Sequence, residues 1–206
     1  MSDILSDKIG DILMLSREQR EVISYGLSVL ANNILGLLGV LLVAYLMGAF
    51  TSTLVMSTIL LLLRPNAGGA HCSSSFNCSL FGYVFLPLFG YGALSLSLCP
   101  LSIQRIYIIA CFCLSLTGIV LKAPYFTQSK PRAETRNKEL KTRALIIAII
   151  AFVVALIFQF IKMHEWAMGI ATGLLFQGLV LFPLGVKGIQ YLDNLVNRIF
   201  FSKGVK

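Results

Sequence analysis

Charge is scarce in this chain of 206 residues. Asp, Glu, Lys and Arg together make up 13%, against 57% hydrophobic residues, whereas charged residues account for about a quarter of an ordinary soluble domain. A soluble globular fold is excluded, and the chain reads as an integral membrane protein. Acidic residues are the scarcer sign: none lies between Glu21 and Glu134, so a carboxylate close in sequence is missing wherever chemistry is placed in that stretch. A cleavable signal peptide is also missing. Such a leader needs a basic start and an apolar run, whereas Met1 to Glu21 carries Asp3, Asp7, Asp11, Glu18 and Glu21. The five cysteines, an odd number in mostly apolar surroundings, exclude a disulfide framework and leave at least one free thiol. A net charge of +8 raises nucleic acid as a partner, but the basic residues are dispersed around apolar spans and no soluble domain carries them, so nucleic acid is not expected.

What is present in quantity is uncharged sequence. No charge occurs from Val22 through Leu63, from Pro65 through Gln104, from Ile106 through Leu121, from Ala144 through Ile161 or from Ala167 through Val186. A helix needs about 20 apolar residues to cross the hydrocarbon layer. The expected fold is therefore all-α, with about six transmembrane or partly re-entrant helices in a single membrane-embedded domain over 1–206. An N-terminal amphipathic segment, 1–21, precedes them: Leu5, Ile9 and Ile12 fall opposite Asp3, Asp7 and Asp11, as in a helix lying in the membrane interface. Ser16 and Gln19 then form the S-x-x-Q capping box that starts the helix leading into the first span. The second span, about Phe50 to Leu63, is several residues short of a full crossing, and the third and fourth are split at Cys99-Pro100, where proline interrupts the helical ladder.

The longest polar segment, 122–143, holds Lys122, Lys130, Arg132, Arg136, Lys138, Lys141 and Arg143 against Glu134 and Glu139. The positive-inside rule makes it cytoplasmic. With six passes and a cytoplasmic N-terminus, the motif loop at 64–79, this basic loop and the C-terminal tail all face inward, and only Arg105 and Lys162 among the Lys and Arg residues fall outside. A multi-pass protein of a bacterial cell membrane is expected, with both termini and the motif loop cytoplasmic.

That motif loop holds Arg64, Gly68, Gly69, His71 and Cys78. Cysteine with histidine is the equipment of nucleophilic acyl chemistry, because imidazole takes the thiol proton and the thiolate attacks a carbonyl. On one straight helix, residues seven apart stand about 10 Å from each other, beyond hydrogen-bond reach. A His71–Cys78 dyad thus demands a bend, which Gly68-Gly69 and Ser73-Ser74-Ser75 can supply. Spacing alone leaves rivals: Cys72 is adjacent to His71, and Ser75 would sit beside it at i+4 on a helix. Backbone carbonyls or the amides of Asn32, Asn33, Gln159 or Gln177 are the candidates for orienting the imidazole. His71, Cys72 and Cys78 offer three metal ligands, but structural zinc takes four, and no metal or other cofactor is expected. Cys99, Cys111 and Cys113 read as core residues. Arg64 reads equally well as the lipid-facing boundary of a span.

The pattern R-x-x-x-G-G-x-H-x-x-x-x-x-x-C after the second span, with a length near 200 residues and a basic central loop, resembles the AgrB family of membrane cysteine endopeptidases in Gram-positive quorum sensing. The resemblance implies that the catalytic residues are His71 and Cys78, that Arg64 and Gly69 are motif positions, and that Cys72 occupies a place the motif leaves free. It implies cleavage of the C-terminal part of an AgrD-like propeptide through a Cys78 thioester. A cysteine or serine inside the substrate then closes a thiolactone or lactone ring. The partners implied are that propeptide, the lipid bilayer and, as a reasonable assembly, a homodimer. Backbone N–H groups of Gly68 to Ala70 or the Arg64 guanidinium are candidates for the oxyanion hole, and the basic loop is a candidate dock for an acidic peptide end. The competing reading is a non-enzymatic small transporter or metal-handling channel, for which polar residues within spans would line a path.

Overall fold

A computed structural model describes residues 16–70, 72–125 and 134–200. Within them lie seven helices and no strand: α1 (Arg17–Leu46), α2 (Phe50–Ala67), α3 (Ser75–Ser97), α4 (Leu101–Lys122), α5 (Glu134–Phe160), α6 (His164–Leu181) and α7 (Pro183–Phe200). The expected interfacial segment before Ser16 lies outside the described residues. The chain divides into two compact units, Met1–Gly39 and Val40–Lys206.

In the first unit the capping box forms as the sequence requires. The Ser16 N–H donates to Gln19 Oε1 at 3.0 Å and the Gln19 N–H donates to Ser16 Oγ at 3.4 Å. The orphan donors at the start of α1 are thereby satisfied.

In the second unit α2 and α6 form the centre. Twelve of the 18 residues of α6 are buried, so this helix faces protein on almost every side. Small residues let the backbones approach: a Cβ on Gly173 would stand 2.8 Å from Ile59 Cβ, and one on Gly169 would stand 3.0 Å from the Ser52 carbonyl oxygen. At 18 residues each and about 1.5 Å per residue these two helices are about 27 Å long. Four helices are long and apolar enough to cross a membrane, namely Arg17–Leu46, Phe76–Ser97, Leu101–Lys122 and Arg136–Phe160, and α6 with α7 forms a pair bent by 81°. The all-α membrane fold is as expected, and within the second unit α2 and α6 pack against α3 and α5, with α4 on α6.

The second unit has two distinct ends. At one, Glu165 Oε1 of α6 accepts from the Ser52 N–H in the first turn of α2 at 3.1 Å, and Gln104 Nε2 donates to the carbonyls of Ser97 and Cys99 at 2.8 Å each. These bonds close the α3–α4 hairpin expected at Cys99-Pro100, where Pro100 is the residue before α4. At the other end the α2–α3 loop meets the chain that follows α4 and the junction of α6 with α7.

Two boundaries differ from the sequence reading. The basic segment is not one loop, because α5 starts at Glu134 and takes Arg136, Lys138, Lys141 and Arg143 into its first turns. The segment after Val186 is not a plain tail. Pro183, whose fixed φ and absent N–H suit the first position of a helix, starts α7, which has three faces. Val186, Asp193 and Val196 are buried, Leu184, Tyr191, Leu195 and Ile199 are exposed apolar residues, and Lys187, Gln190, Asn194 and Arg198 are exposed polar ones. Hydrophobic residues explain two of these faces; a buried aspartate on the inner one needs a partner.

Candidate active site

The motif begins inside a helix. α2 runs through Arg64 and Pro65 to Ala67, and Gly68 caps it with φ 72° and ψ −155°, its N–H donating to the Arg64 carbonyl at 2.9 Å. Gly69 follows with φ 146°. Both are conformations that a side chain disfavours. The turn is held from three directions. Gly69 N–H donates to the Tyr125 carbonyl at 3.2 Å and Tyr125 N–H donates to the Ala67 carbonyl at 3.0 Å. Ala70 N–H donates to the Val180 carbonyl at 3.2 Å, and buried Gln177 donates from Nε2 to the Gly68 carbonyl at 2.9 Å. Arg64 arches over the turn, its Nη2 donating to the Ala70 carbonyl at 3.2 Å.

These bonds correct one expectation. The N–H groups of Gly68, Gly69 and Ala70, considered above for an oxyanion hole, are all spent on the fold. Of the two candidates only the Arg64 guanidinium is left, and its buried Nε has no acceptor among the described residues. Gln177, considered as an orienter of the imidazole, holds the Gly68 carbonyl instead, and Gln159 donates from Nε2 to Gln104 Oε1 at 3.3 Å.

His71 lies outside the described residues; its neighbours Ala70 and Cys72 are placed. Cys72, Ser73 and Ser74 are non-helical, and α3 begins only at Ser75. Ser74 is then the N-cap of α3, with Oγ accepting from the Asn77 N–H at 3.1 Å. The Cys78 N–H closes the first helical bond, to the Ser74 carbonyl, at 3.1 Å. Cys78 thus stands in the first turn of α3, half-buried, with its thiol free, as is that of half-buried Cys72.

The two thiols are close enough to interact. Burial, the neighbouring Cys78 and the Asp193 carboxylate push the Cys72 thiol up to about 12, with Arg64 opposing. Below that pH Cys72 is a neutral thiol and a poor nucleophile. Iodoacetamide at pH 8 is accordingly expected to leave Cys72 unmodified in the folded protein and to modify it after denaturation, as peptide mass mapping would show. Rapid labelling of Cys72 in the folded state would contradict this.

Asp193 arrives from α7 and completes the loop. Its Oδ2 accepts from the Ser73 N–H at 2.9 Å and its Oδ1 accepts from Asn77 Nδ2 at 2.7 Å. Asn197, one turn further on, accepts from Asn77 Nδ2 at 2.9 Å and donates from Nδ2 to Ser73 Oγ at 3.1 Å. Burial opposes ionisation of Asp193, but the donors from Asn77 and Ser73 prevail and hold its carboxyl below the usual carboxylate range. Sequence reading missed Asp193, Asn77, Asn197 and Tyr125. The available signal was the helical periodicity of 183–200, which puts Asp193 in line with Val186 and Val196.

The family model described as Accessory gene regulator B matches residues 2–181. The chain belongs to the AgrB family. Accessory gene regulator protein B of Staphylococcus aureus (strain Newman) is 30% identical over 162 residues, covering 77% of this chain and 79% of that protein. A Putative AgrB-like protein of Clostridium perfringens (strain SM101 / Type A) is 25% identical over 210 residues, covering 97% of this chain and 98% of that protein. No solved structure matches. The AgrB match includes Arg64 to Cys78 and ends at Leu181, so α7, with Asp193 and Asn197, lies beyond it.

Proposed function

We propose that this AgrB-family chain is a membrane cysteine endopeptidase. It cleaves the C-terminal part of an AgrD-like propeptide through a thioester on Cys78 and promotes cyclisation to a thiolactone or lactone signal peptide. The observation that carries this reading is the placement of Cys78, a half-buried free thiol in the first turn of α3, after a loop braced at Gly68, Gly69, Ala70 and Ser73. A loop held this firmly suits a site whose reacting groups need fixed positions.

In the proposed reaction His71 takes the Cys78 proton, the thiolate attacks the scissile carbonyl, and His71 returns the proton to the departing amine. The acyl group is then carried on Cys78 until the substrate's own thiol or hydroxyl attacks it, closing the ring and restoring the Cys78 thiol. Water competes at that step, and a substrate nucleophile held near the acyl carbon prevails over it through effective concentration. Arg64 would supply charge stabilisation to the oxyanion through the part of its guanidinium not engaged with Ala70. Gly68 and Gly69 support the site by allowing the turn.

The site shares its end of the second unit with the start of the basic segment, since Gly69 and Tyr125 are hydrogen-bonded. The positive-inside rule places that end in the cytoplasm, where the basic residues that open α5 could receive an acidic peptide end. A homodimer in the bilayer is the proposed assembly. Against the channel reading, Gln159 and Gln177 each donate to an acceptor within the fold.

The test is reconstitution of the full chain in proteoliposomes with its candidate propeptide, followed by mass spectrometry. Cleavage and a propeptide-derived thioester on Cys78 are expected. Cleavage with the adduct on any other residue would overturn the mechanism, and no cleavage at all would overturn the peptidase reading.

A further inference from the structure

The inner face of α7 carries a carboxylate where hydrophobic residues would seat the helix at lower cost. Asp193 is 7% exposed and its partner Asn77 is 0% exposed. A buried charge is tolerated only when it is well hydrogen-bonded, and replacing such a charge by packed apolar groups is often neutral or stabilising. The network therefore contributes something other than helix docking. All of its partners belong to one short segment: Ser73, just after Cys72, and Asn77, just before Cys78.

We propose that Asp193, assisted by Asn197, is a positioning residue for the Cys78 reaction. It ties the Ser73 backbone and the Asn77 side chain to α7, so that the loop leaving His71 and the first turn of α3 keep one register. This inference rests on the peptidase reading above. Four hydrogen bonds join residues 73 and 77 to α7, and they bracket the N-terminal turn that presents the nucleophile. Each acceptor faces an N–H donor, so the network has a fixed polarity: Asp193 can only accept, and Asn77 meets it with Nδ2. Loss of that polarity would let the first turn of α3 shift, and a displacement of about 1 Å at a reacting group costs about 100-fold in rate.

The experiment uses the full chain in proteoliposomes and measures kcat and KM for propeptide cleavage. Asp193→Asn places an amide donor against the Ser73 N–H or against Asn77, and is expected to lower kcat by about 10- to 100-fold, with KM within about threefold. Asn77→Asp sets two carboxylates together and is expected to lower kcat similarly. The double variant Asn77→Asp/Asp193→Asn restores one donor facing one acceptor and is expected to recover at least about tenfold over either single variant, a coupling that independent structural damage does not produce. A kcat within twofold of wild type in Asp193→Asn, or a double variant no better than the product of the two singles, overturns the proposal.

If Asp193→Asn does not elute as the native protein, Asn197→Ser decides. It is expected to lower kcat by about three- to tenfold at unchanged KM, and no change overturns the proposal. A wild-type protein that does not cleave overturns the peptidase reading instead. Positioning is then read from maleimide labelling of Cys78 in a Cys72→Ala background: Asp193→Asn is expected to alter the labelling rate at least threefold and the double variant to return it, whereas equal rates in all three overturn the clamp.

Discussion

Cys78→Ala is expected to lower propeptide cleavage by at least about 10⁴-fold, since loss of the nucleophile removes the covalent route altogether. Cys72→Ala is expected to stay within about threefold of wild type, because the Cys72 thiol makes no bond in the proposed reaction and its removal leaves the backbone bonds of the loop in place. The contrast is sharp because the two thiols lie side by side, and proximity alone would let either one serve. Burial, Cys78 and the Asp193 carboxylate push the Cys72 thiol up to about 12, which keeps it in the neutral, weakly nucleophilic form near pH 7. Removing Cys78 relieves only part of the shift, since burial, its largest cause, remains. Initial rates from proteoliposomes, with substrate and product quantified by mass spectrometry, would measure both variants. Wild-type processing by Cys78→Ala would end the proposed mechanism, and a loss in Cys72→Ala as deep as that in Cys78→Ala would show that the dithiol acts as a unit.

Gly68→Ala is expected to be the most damaging of the small substitutions. At φ 72° and ψ −155° an alanine is strained by about 1 to 3 kcal/mol. The added Cβ would also collide with the Tyr125 carbonyl oxygen and stand 2.9 Å from the carbonyl carbon. Tyr125 cannot withdraw without breaking its two bonds to Ala67 and Gly69, each worth about 1 kcal/mol. Together these give a destabilisation of about 3 to 5 kcal/mol, felt at the turn that precedes His71. The expected readouts are a lower unfolding temperature in detergent and a cleavage rate reduced at least about 100-fold. Gly26→Ala is the control. Gly26 lies within α1 and a Cβ there meets nothing within 4 Å, so this change should stabilise by up to about 1 kcal/mol through helix propensity alone. Equal stability and activity for Gly68→Ala and Gly26→Ala would remove the turn from the argument.

Much of the architecture was legible before any coordinates. Long uncharged runs mark helices because each span solves its backbone hydrogen bonding within itself, and the breaks were readable where local chemistry forces them: Cys99-Pro100 before α4, the Ser16 and Gln19 capping box before α1. The reach of α2 through Arg64 and Pro65 was harder. Pro65 lies one turn before the helix end, and a sequence window cannot weigh its lost hydrogen bond against the bonds the following turn makes to Tyr125, Val180 and Gln177. The amphipathic α7 went unread because its polar residues resemble a cytoplasmic tail, and only the helical spacing of Val186, Asp193 and Val196 distinguishes the two.

The sequence by itself determined that this is an all-helical membrane protein and that Arg64, the glycine pair, His71 and Cys78 belong to one motif, because hydropathy and motif spacing are properties of neighbouring residues. Only the tertiary structure decided how that motif is surrounded. It spent the N–H groups of the glycine turn on Arg64, Tyr125 and Val180, set Cys72 against Cys78 and Asp193, and brought a carboxylate to Ser73 from 120 positions along the chain. Those relations arise when separate helices pack and their unpaired donors and acceptors must find partners away from water, and no local pattern of residues records which partner each will find.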